Sequence, residues 1–218
     1  MYKRQALDIA ASMLKAGSYK YALVIGSEKM SEIVNWKDRS VCVLFGDGAG
    51  AVVLKAVDNN TEDVTGDLVG HERGIIDSNI YNDGTGASVL TGGRRFSDSC
   101  STDIFIHMDG QEVFKFAVKS VPTAIETLLH NNNMDINEVD KFILHQANVR
   151  IIESVAKRLK ADKDKFPVNL NEYGNTSSAS IPILLDELNR NGSLKQGEKL
   201  VLAGFGAGLS WGSILLVW

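Results

Sequence analysis

Two stretches of this sequence share one pattern: ALDIAASMLKAGSYKYALVIG (residues 6–26) and ILLDELNRNGSLKQGEKLVLAGFG (residues 183–206). Each begins with apolar residues at helical spacing, passes through a Gly-Ser pair, and ends in a short apolar run typical of a buried strand. A second pair of similar stretches, FGDGAGAVVL (45–54) and FGAGLSWGSILLV (205–217), follows in the same order. The two pairs of similar stretches predict an internal duplication, and the alternation of helices and strands predicts an α/β fold.

The other elements follow from the same periodicities. We expect strands at 20–26, 41–45, 51–57, 141–145 and twice near the carboxyl end, and helices over 110–130, 149–159 and 180–190. Pro122 is expected to kink or split the first of these helices. Residues 58–103 are rich in Asp, Asn, Gly, Ser and Thr, so we expect irregular, exposed structure there, with one strand near GIIDSNI (74–80).

We place a domain boundary after residue 58. Residues 1–58 are then the remnant of a first duplicated half, and residues 59–218 form the second half. The first half is expected to be incomplete at its front end. Residues 1–5, MYKRQ, are polar and basic and precede the helical pattern, so we interpret them as an added segment, such as a cloning scar, outside the fold.

Composition excludes several functional classes. The net charge of −4 gives no electrostatic reason to expect nucleic acid or an anionic membrane as a partner. Cys42 and Cys100 offer neither a disulfide framework nor metal-ligand spacing, which fits a reducing cytoplasm. No apolar run approaches the ~18 residues of a membrane-spanning helix. We therefore expect a cytoplasmic protein without a metal site.

Two apparent motifs are rejected because their structural context is wrong. The glycines of GDGAG (46–50) suggest a phosphate loop, but a strand follows them where such a loop needs a helix, so we interpret them as a tight turn between two strands. GLSWG (208–212) matches the spacing of a nucleophile elbow, which needs a following helix and a later histidine. Only six residues follow it, and none is histidine.

The stretch KFILHQANVRII (141–152) places His145 where an apolar run ends and a helical pattern begins. We expect the apolar run to be an inner strand, and α/β folds bind ligands at the carboxyl ends of their strands. The positive end of the following helix dipole disfavours an imidazolium. A neutral imidazole there donates a hydrogen bond to a developing oxyanion, although a structural histidine in the core is the alternative.

A second polar constellation lies in NEYGNTSSASIP (171–182), where Asn175 occupies a turn before the helix that Ser180 begins. By itself Asn175 is equally typical of a turn or capping residue. A neutral histidine and a side-chain amide on two adjacent strand-to-helix turns are suited to hold a thioester enolate.

Five motifs together carry a family resemblance: FGDGAGA, DGQEVFK, HQANVR, NEYGNTSSASIP and AGFGAGLSWG, in this order along the chain. They resemble the thiolase-fold condensing enzymes, specifically β-ketoacyl-acyl carrier protein synthase III. Elongating synthases of this fold have a second histidine where this chain has Asn175. Thiolases carry a cysteine in the final glycine-rich loop, and FGAG (205–208) has none.

The resemblance implies a layered αβαβα fold of two duplicated halves. It also implies a decarboxylative Claisen condensation of a short acyl-coenzyme A with malonyl-acyl carrier protein, which initiates fatty acid synthesis in the cytoplasm of bacteria. His145 and Asn175 would donate hydrogen bonds to the malonyl thioester oxygen. The backbone N–H of Ala207, beside Gly206, would belong to an oxyanion hole, and Phe205 would shape the pocket. No cofactor is implied besides the two thioester substrates, and the complete enzyme is expected to be a homodimer.

The nucleophile is the point at which this sequence departs from the family. The family's cysteine begins the helix that ALDIAASMLKAG represents, and counting back places it immediately before Met1. Neither Cys42 nor Cys100 matches that place. We therefore expect a fragment that does not condense substrates as it stands. We also expect it to be poorly stable, because missing strands would leave sheet edges and apolar surface uncovered.

Local charge suggests a partner surface. Between residues 150 and 165 there are six basic and three acidic side chains, in a chain with an overall net charge of −4. A solvated helix end that complements its dipole is one reading. The other is a docking surface for the acidic carrier protein, with Arg150, inside the HQANVR motif, as the principal contact.

Two alternatives to the condensing enzyme remain open from the sequence. One is a relative without catalytic activity that binds acyl carrier protein or coenzyme A thioesters. The other is a different thiolase-fold acyltransferase, such as a polyketide priming enzyme.

Overall fold

A computed structural model describes residues 3–57, 73–92 and 105–218, so predictions that concern Cys100 and most of 58–103 lie outside the described residues. The helices are α1 (Lys3–Lys15), α2 (Gly110–Asn131), α3 (Val149–Leu159), α4 (Leu170–Tyr173) and α5 (Ser180–Arg190). The strands are β1 (Tyr21–Glu28), β2 (Gly48–Lys55), β3 (Gly74–Asn82), β4 (Leu90–Thr91), β5 (His107–Met108), β6 (Lys141–Leu144), β7 (Lys199–Gly206) and β8 (Ser210–Val217).

A helix followed by an antiparallel pair of strands occurs twice, as the sequence echo predicts. α1 precedes β1 and β2, and α5 precedes β7 and β8. The equivalent glycines even pair in the same way, since Gly26 lies opposite Gly50 and Gly204 lies opposite Gly212. The predicted duplication is therefore visible in the backbone pairing.

The elements form successive layers. β1 and β2 pack on α1 and α5, which in turn cover one face of a four-stranded sheet with the order β3-β8-β7-β6. α2 and α3 cover the other face. Along β7, Val201 and Ala203 belong to the apolar cluster with α2 and α3, whereas Leu200 and Leu202 belong to the cluster with α5. This alternation places one core on each face of the sheet.

α2 is a single helix with Pro122 inside it, so of the predicted kink or split, the split is wrong. Asp109 caps its first turn by accepting hydrogen bonds from the amides of Gln111 and Glu112. A proline inside a helix leaves the carbonyl four residues earlier without its usual donor. That carbonyl belongs to Val118, and the Arg158 guanidinium of α3 reaches it at 3.5 Å.

The strand predicted at 41–45 is wrong. Hydrogen bonds from the amides of Val41 and Cys42 to the Asp38 carbonyl form helical turns there instead. The apolar residues serve another purpose, because Val41 is buried against Met30 and Ile106 in a separate small cluster. β1 already has its antiparallel partner in β2, so residues 29–47 are a long connection between these two strands.

The glycines of GDGAG are also placed differently from the prediction. Gly48 and Gly50 lie inside β2 and not in a tight turn. A Cβ at Gly50 would lie 3.0 Å from Cγ of Pro182, and one at Gly48 would lie 2.9 Å from Cδ1 of Ile183. Glycine is therefore favoured here because α5 packs closely against the strand.

The strand predicted at 74–80 is confirmed as part of β3, which pairs along its length with β8. The strand predicted at 141–145 is confirmed as β6. Within the described part of the chain β6 forms the edge of its sheet, so the prediction of an inner strand is wrong. Its apolar character comes from the helices on both faces. The division after residue 58 stays a prediction.

Candidate active site

A cavity of about 940 Å³ opens where β1, β6 and β7 end. Its wall includes five of the residues singled out by the sequence: His145, Asn175, Phe205, Gly206 and Ala207. The connection between β1 and β2 also contributes Met30, Ile33, Ser40, Leu44 and Phe45 to the wall. The site is therefore built by both copies of the duplicated unit.

His145 is fixed on both its backbone and its ring. Its amide donates to the Ala203 carbonyl at 2.8 Å, which extends the ladder between β6 and β7 by one residue. Its Nδ1 lies 2.7 Å from the Ser180 hydroxyl, and its ring meets the Phe205 ring edge-on at 5.4 Å between centroids. The imidazole is therefore held at the end of the strand in contact with an aromatic ring.

The two amides that follow His145 have structural roles. Gln146 is fully buried, where it donates to the Leu144 carbonyl and accepts from the Asn169 amide. Asn148 caps α3 by accepting from the Arg150 amide at 2.9 Å. Together they hold the backbone that carries His145.

Asn175 is 8% exposed and is anchored to the first copy of the unit. Its amide donates to the Leu44 carbonyl at 2.9 Å, and its carbonyl accepts from the Gly46 amide at 3.1 Å. Its side-chain Oδ1 accepts from the Ser177 amide at 2.9 Å. With that oxygen engaged, the Nδ2 amide is the part of the side chain that can donate to a molecule in the cavity.

The tight turn between β7 and β8 forms the base of the cavity. β7 ends at Gly206, and only residues 207–209 separate it from β8. Phe205 is nearly buried and packs edge-on against Phe116 of α2 as well as against His145. The turn therefore presents the backbone of Gly206 and Ala207 to the cavity on a rigid aromatic support.

Arg150 stands beside the cavity and does not line it. It is exposed on the first turn of α3, and its guanidinium lies 5.9 Å from the centroid of the Phe114 ring, which does line the cavity. One of the other basic residues in this segment has a structural role, because the Lys165 ammonium donates to the carbonyls of Asn137 and Val139.

The sequence reasoning missed Glu28 and the role of Ser180. The Glu28 carboxylate, at the end of β1, accepts from the Ser177 hydroxyl at 3.2 Å and the Ser178 amide at 3.1 Å. Ser180 begins α5 as predicted, but its hydroxyl contacts His145. A polar residue at the end of an apolar strand is the signal that singled out His145, and the same signal was present at Glu28.

One carboxylate fixes the ends of the long connection. Asp47 accepts from the hydroxyl and the amide of Ser31 at 2.6 and 2.8 Å. These hydrogen bonds hold the pKa of Asp47 below its usual value. They also tie the start of the 29–47 connection to its end, next to the cavity.

The described residues include no group of three or more His, Cys, Asp or Glu side chains placed to hold a metal ion. None of the helices in the described ranges is long and apolar enough to cross a membrane. Among the lining residues of the cavity there is no cysteine, and Cys42 lies in the turns at 38–44.

Comparisons with known proteins all indicate the same family. Residues 4–84 match the family described as 3-oxoacyl-[acyl-carrier-protein] synthase III, and residues 129–218 match the C-terminal part of the same synthase. The β-ketoacyl-[acyl-carrier-protein] synthase III of Clostridium acetobutylicum is 44% identical over 219 residues, which cover 98% of this chain. The chain spans 63% of the length of that relative.

Solved structures agree with the sequence comparison. The 3-oxoacyl-[acyl-carrier-protein] synthase III from Aquifex aeolicus is 42% identical with a TM-score of 0.86, over 98% of this chain and 63% of that one. The priming β-ketosynthase of the R1128 polyketide pathway is 34% identical with a TM-score of 0.83, over 99% of this chain and 63% of that one. The fold is the thiolase-like α/β fold, and this chain belongs to the 3-oxoacyl-[acyl-carrier-protein] synthase III family.

Proposed function

We propose that this chain carries the decarboxylation chemistry of a condensing enzyme that joins a short acyl-coenzyme A to malonyl-acyl carrier protein at the start of fatty acid synthesis. One observation supports the proposal above all. His145 and Asn175 line the same cavity, and hydrogen bonds to Ser180 and Ser177 orient their side chains.

In the proposed reaction, the malonyl thioester oxygen accepts hydrogen bonds from His145 Nε2 and Asn175 Nδ2. The bond between the carboxylate and the neighbouring carbon breaks, carbon dioxide leaves, and the electron pair forms an enolate on the thioester. Negative charge grows on the thioester oxygen only as this bond breaks, so the two donors stabilise the transition state more than the substrate. In condensation the enolate carbon attacks an acyl thioester on cysteine, and the thiolate leaves; without an acyl group the carbon takes up a proton.

Phe205 supports this chemistry by position. Its ring lies against the His145 imidazole and Phe116, so the wall next to the leaving carboxylate is apolar. An apolar wall disfavours the charged carboxylate more than neutral carbon dioxide. The backbone of Ala207 and Gly206 is proposed as the oxyanion hole for the acyl thioester.

The test is release of carbon dioxide from malonyl-acyl carrier protein by the full chain. His145→Ala and Asn175→Ala are each expected to slow the release by roughly 10²–10³-fold, since each removes one donor to the developing oxyanion. His107→Ala is the matched control, because His107 lies on β5 outside the wall of the cavity. Equal rates in all four proteins would overturn the proposal.

Binding without turnover would favour the alternative of a thioester-binding relative. Isothermal titration with malonyl-coenzyme A separates that outcome from a chain that does not bind at all. The similarity to a polyketide priming β-ketosynthase keeps a polyketide primer as a second candidate. A profile of short acyl-coenzyme A primers distinguishes the two pathways.

The acidic carrier protein is the proposed partner, with Arg150 as its contact beside the cavity. Arg150→Glu is expected to raise KM for malonyl-acyl carrier protein about tenfold and to leave KM for malonyl-coenzyme A nearly unchanged. Lys20→Glu is the control, because this exposed lysine precedes β1, at the end of the strand away from the cavity. Equal effects of Arg150→Glu on both substrates would contradict the docking role.

A homodimer in the bacterial cytoplasm completes the proposal and rests on the family resemblance. Light scattering coupled to size-exclusion chromatography tests the oligomeric state.

A further inference from the structure

A single hydroxyl proton stands between two acceptors beneath His145. The Ser180 Oγ lies 3.0 Å from the Ser177 carbonyl oxygen and 2.7 Å from His145 Nδ1, and both are within reach of its proton. Ser180 is only 3% exposed, so water has little access to this hydroxyl. A hydroxyl has one proton, so Ser180 donates to only one of these two acceptors at a time.

The choice of acceptor decides which nitrogen of neutral His145 carries the proton. When Ser180 donates to the Ser177 carbonyl, Nδ1 must be the protonated nitrogen, because it then donates to Oγ. When Ser180 donates to Nδ1, that nitrogen is the acceptor and the proton resides on Nε2. In a histidine the hydrogen bond at one ring nitrogen sets the state of the other.

The position of the competing carbonyl is fixed by unusual backbone. Ser177 has a positive φ of 47°, which costs free energy for a residue with a side chain. Its amide donates to Asn175 Oδ1, and its hydroxyl donates to Glu28. The Ser178 amide donates to the same carboxylate. Glu28 therefore holds the turn that orients the side chains of both His145 and Asn175.

We propose that Ser180 is a positioning residue that, by donating to Nδ1, the nearer of the two acceptors, selects the His145 tautomer with the proton on Nε2. This inference rests on the proposed function, in which Nε2 donates to the thioester oxygen. Besides beginning α5, Ser180 would then have a role in the reaction. Glu28 supports that role from the other copy of the duplicated unit by fixing Ser177.

The decisive experiment measures the tautomer itself in the full chain. The sequence has four histidines, so labelling with nitrogen-15 histidine gives few ring signals, and His145→Asn identifies those of His145. For the neutral imidazole, the wild type is expected to show the Nε2–H form. Ser180→Ala is expected to shift the population toward Nδ1–H and to lower the rate of carbon dioxide release roughly tenfold or more, with KM little changed.

Ser213→Ala is the matched control, because Ser213 is a buried serine on β8 whose hydroxyl bonds Asn79 and the Ala124 carbonyl, away from the cavity. It is expected to leave the tautomer of His145 unchanged. If Ser180→Ala does not fold, Ser180→Cys carries the same comparison with a weaker donor. A wild-type chain in the Nδ1–H form, or equal tautomer populations in wild type and the Ser180 variant, would overturn the inference. The spectra report this even if the chain releases no carbon dioxide, so failure of the proposed function is seen separately.

Discussion

The β1–β2 hairpin and the β7–β8 hairpin have the same pairing and opposite surroundings. β7 and β8 lie between two layers of helices, and Leu202 on β7 is 2% exposed. On β1, by contrast, Leu23 and Ile25 point away from the helices and are 60% and 59% exposed. The connections differ as well, with three residues, 207–209, in the second hairpin and nineteen, 29–47, in the first. One copy provides a rigid wall of the cavity, and the other provides a long connection that closes it.

The largest expected difference between the hairpins lies in their core leucines. Leu202→Ala is expected to lower the free energy of unfolding by about 3 kcal/mol, because it leaves a cavity in a closely packed core. Leu23→Ala, on the uncovered face of β1, is expected to change it by less than about 0.5 kcal/mol. Urea denaturation followed by circular dichroism measures both. A loss of similar size in Leu23→Ala would show that the outer face of β1 is covered in solution.

Equivalent glycines give a second, smaller contrast. A Cβ at Gly212 of β8 would lie 2.0 Å from the Asn79 carbonyl oxygen, and its φ of 152° is strained for other residues. Gly212→Ala is therefore expected to lower the free energy of unfolding by about 2 kcal/mol. At Gly50 the nearest atom is Cγ of Pro182 at 3.0 Å, so Gly50→Ala is expected to lower it by about 1 kcal/mol. The reverse order in thermal denaturation would mean that β2 is packed more tightly against α5 than β8 is against β3.

The third contrast concerns an ion pair that precedes only the second hairpin. Glu198 accepts from the Lys141 ammonium at 2.7 Å and from the Lys195 amide at 3.0 Å. Desolvation alone would raise the pKa of this carboxyl, but the two hydrogen bonds outweigh it and the pKa lies below its ordinary 4.5. The corresponding turn before β1, residues 17–20, contains no carboxylate.

The sign of the pH dependence follows from that shift. A carboxyl whose pKa is lower in the folded chain contributes stability above its ordinary pKa, and this contribution disappears as the pH falls through the folded value. Glu198→Gln is expected to cost about 1 kcal/mol at pH 7, and the difference from wild type is expected to shrink below pH 4.5. Melting temperatures across this range test it, with exposed Glu153→Gln as the control. A difference that stays constant with pH would contradict the assignment.

Periodicity predicted the duplicated unit, β6 and the long helices, because each of these buries a regular apolar face. It failed at 41–45, where Leu44 and Phe45 line a cavity wall and Val41 packs in a small cluster instead of forming a strand. The predicted split at Pro122 was also wrong, and the Arg158 side chain that reaches the Val118 carbonyl there comes from another helix. Such contacts between distant segments leave no local pattern in the sequence.

For the candidate site, the polar residues after buried segments indicated His145 and Asn175, and the structure brings them to one cavity. The same sequence did not indicate how they are held. Ser180 has the ordinary pattern of a helix start, and its contact with His145 depends on the packing of α5 beside β6. Glu28 reaches the site only because the two copies of the unit face each other.

Because of the backbone bridge between Phe45 and Asn175, the two proposed hydrogen-bond donors, His145 and Asn175, depend on different parts of the molecule. His145 is anchored on β7, in the doubly covered sheet, whereas Asn175 is anchored on the connection of the exposed hairpin. Local opening of the first hairpin would release Asn175 and leave His145 in place. The rate of turnover would then depend on whether β1 and β2 remain packed on α1 and α5. It would decline at temperatures where the four-stranded sheet is still intact.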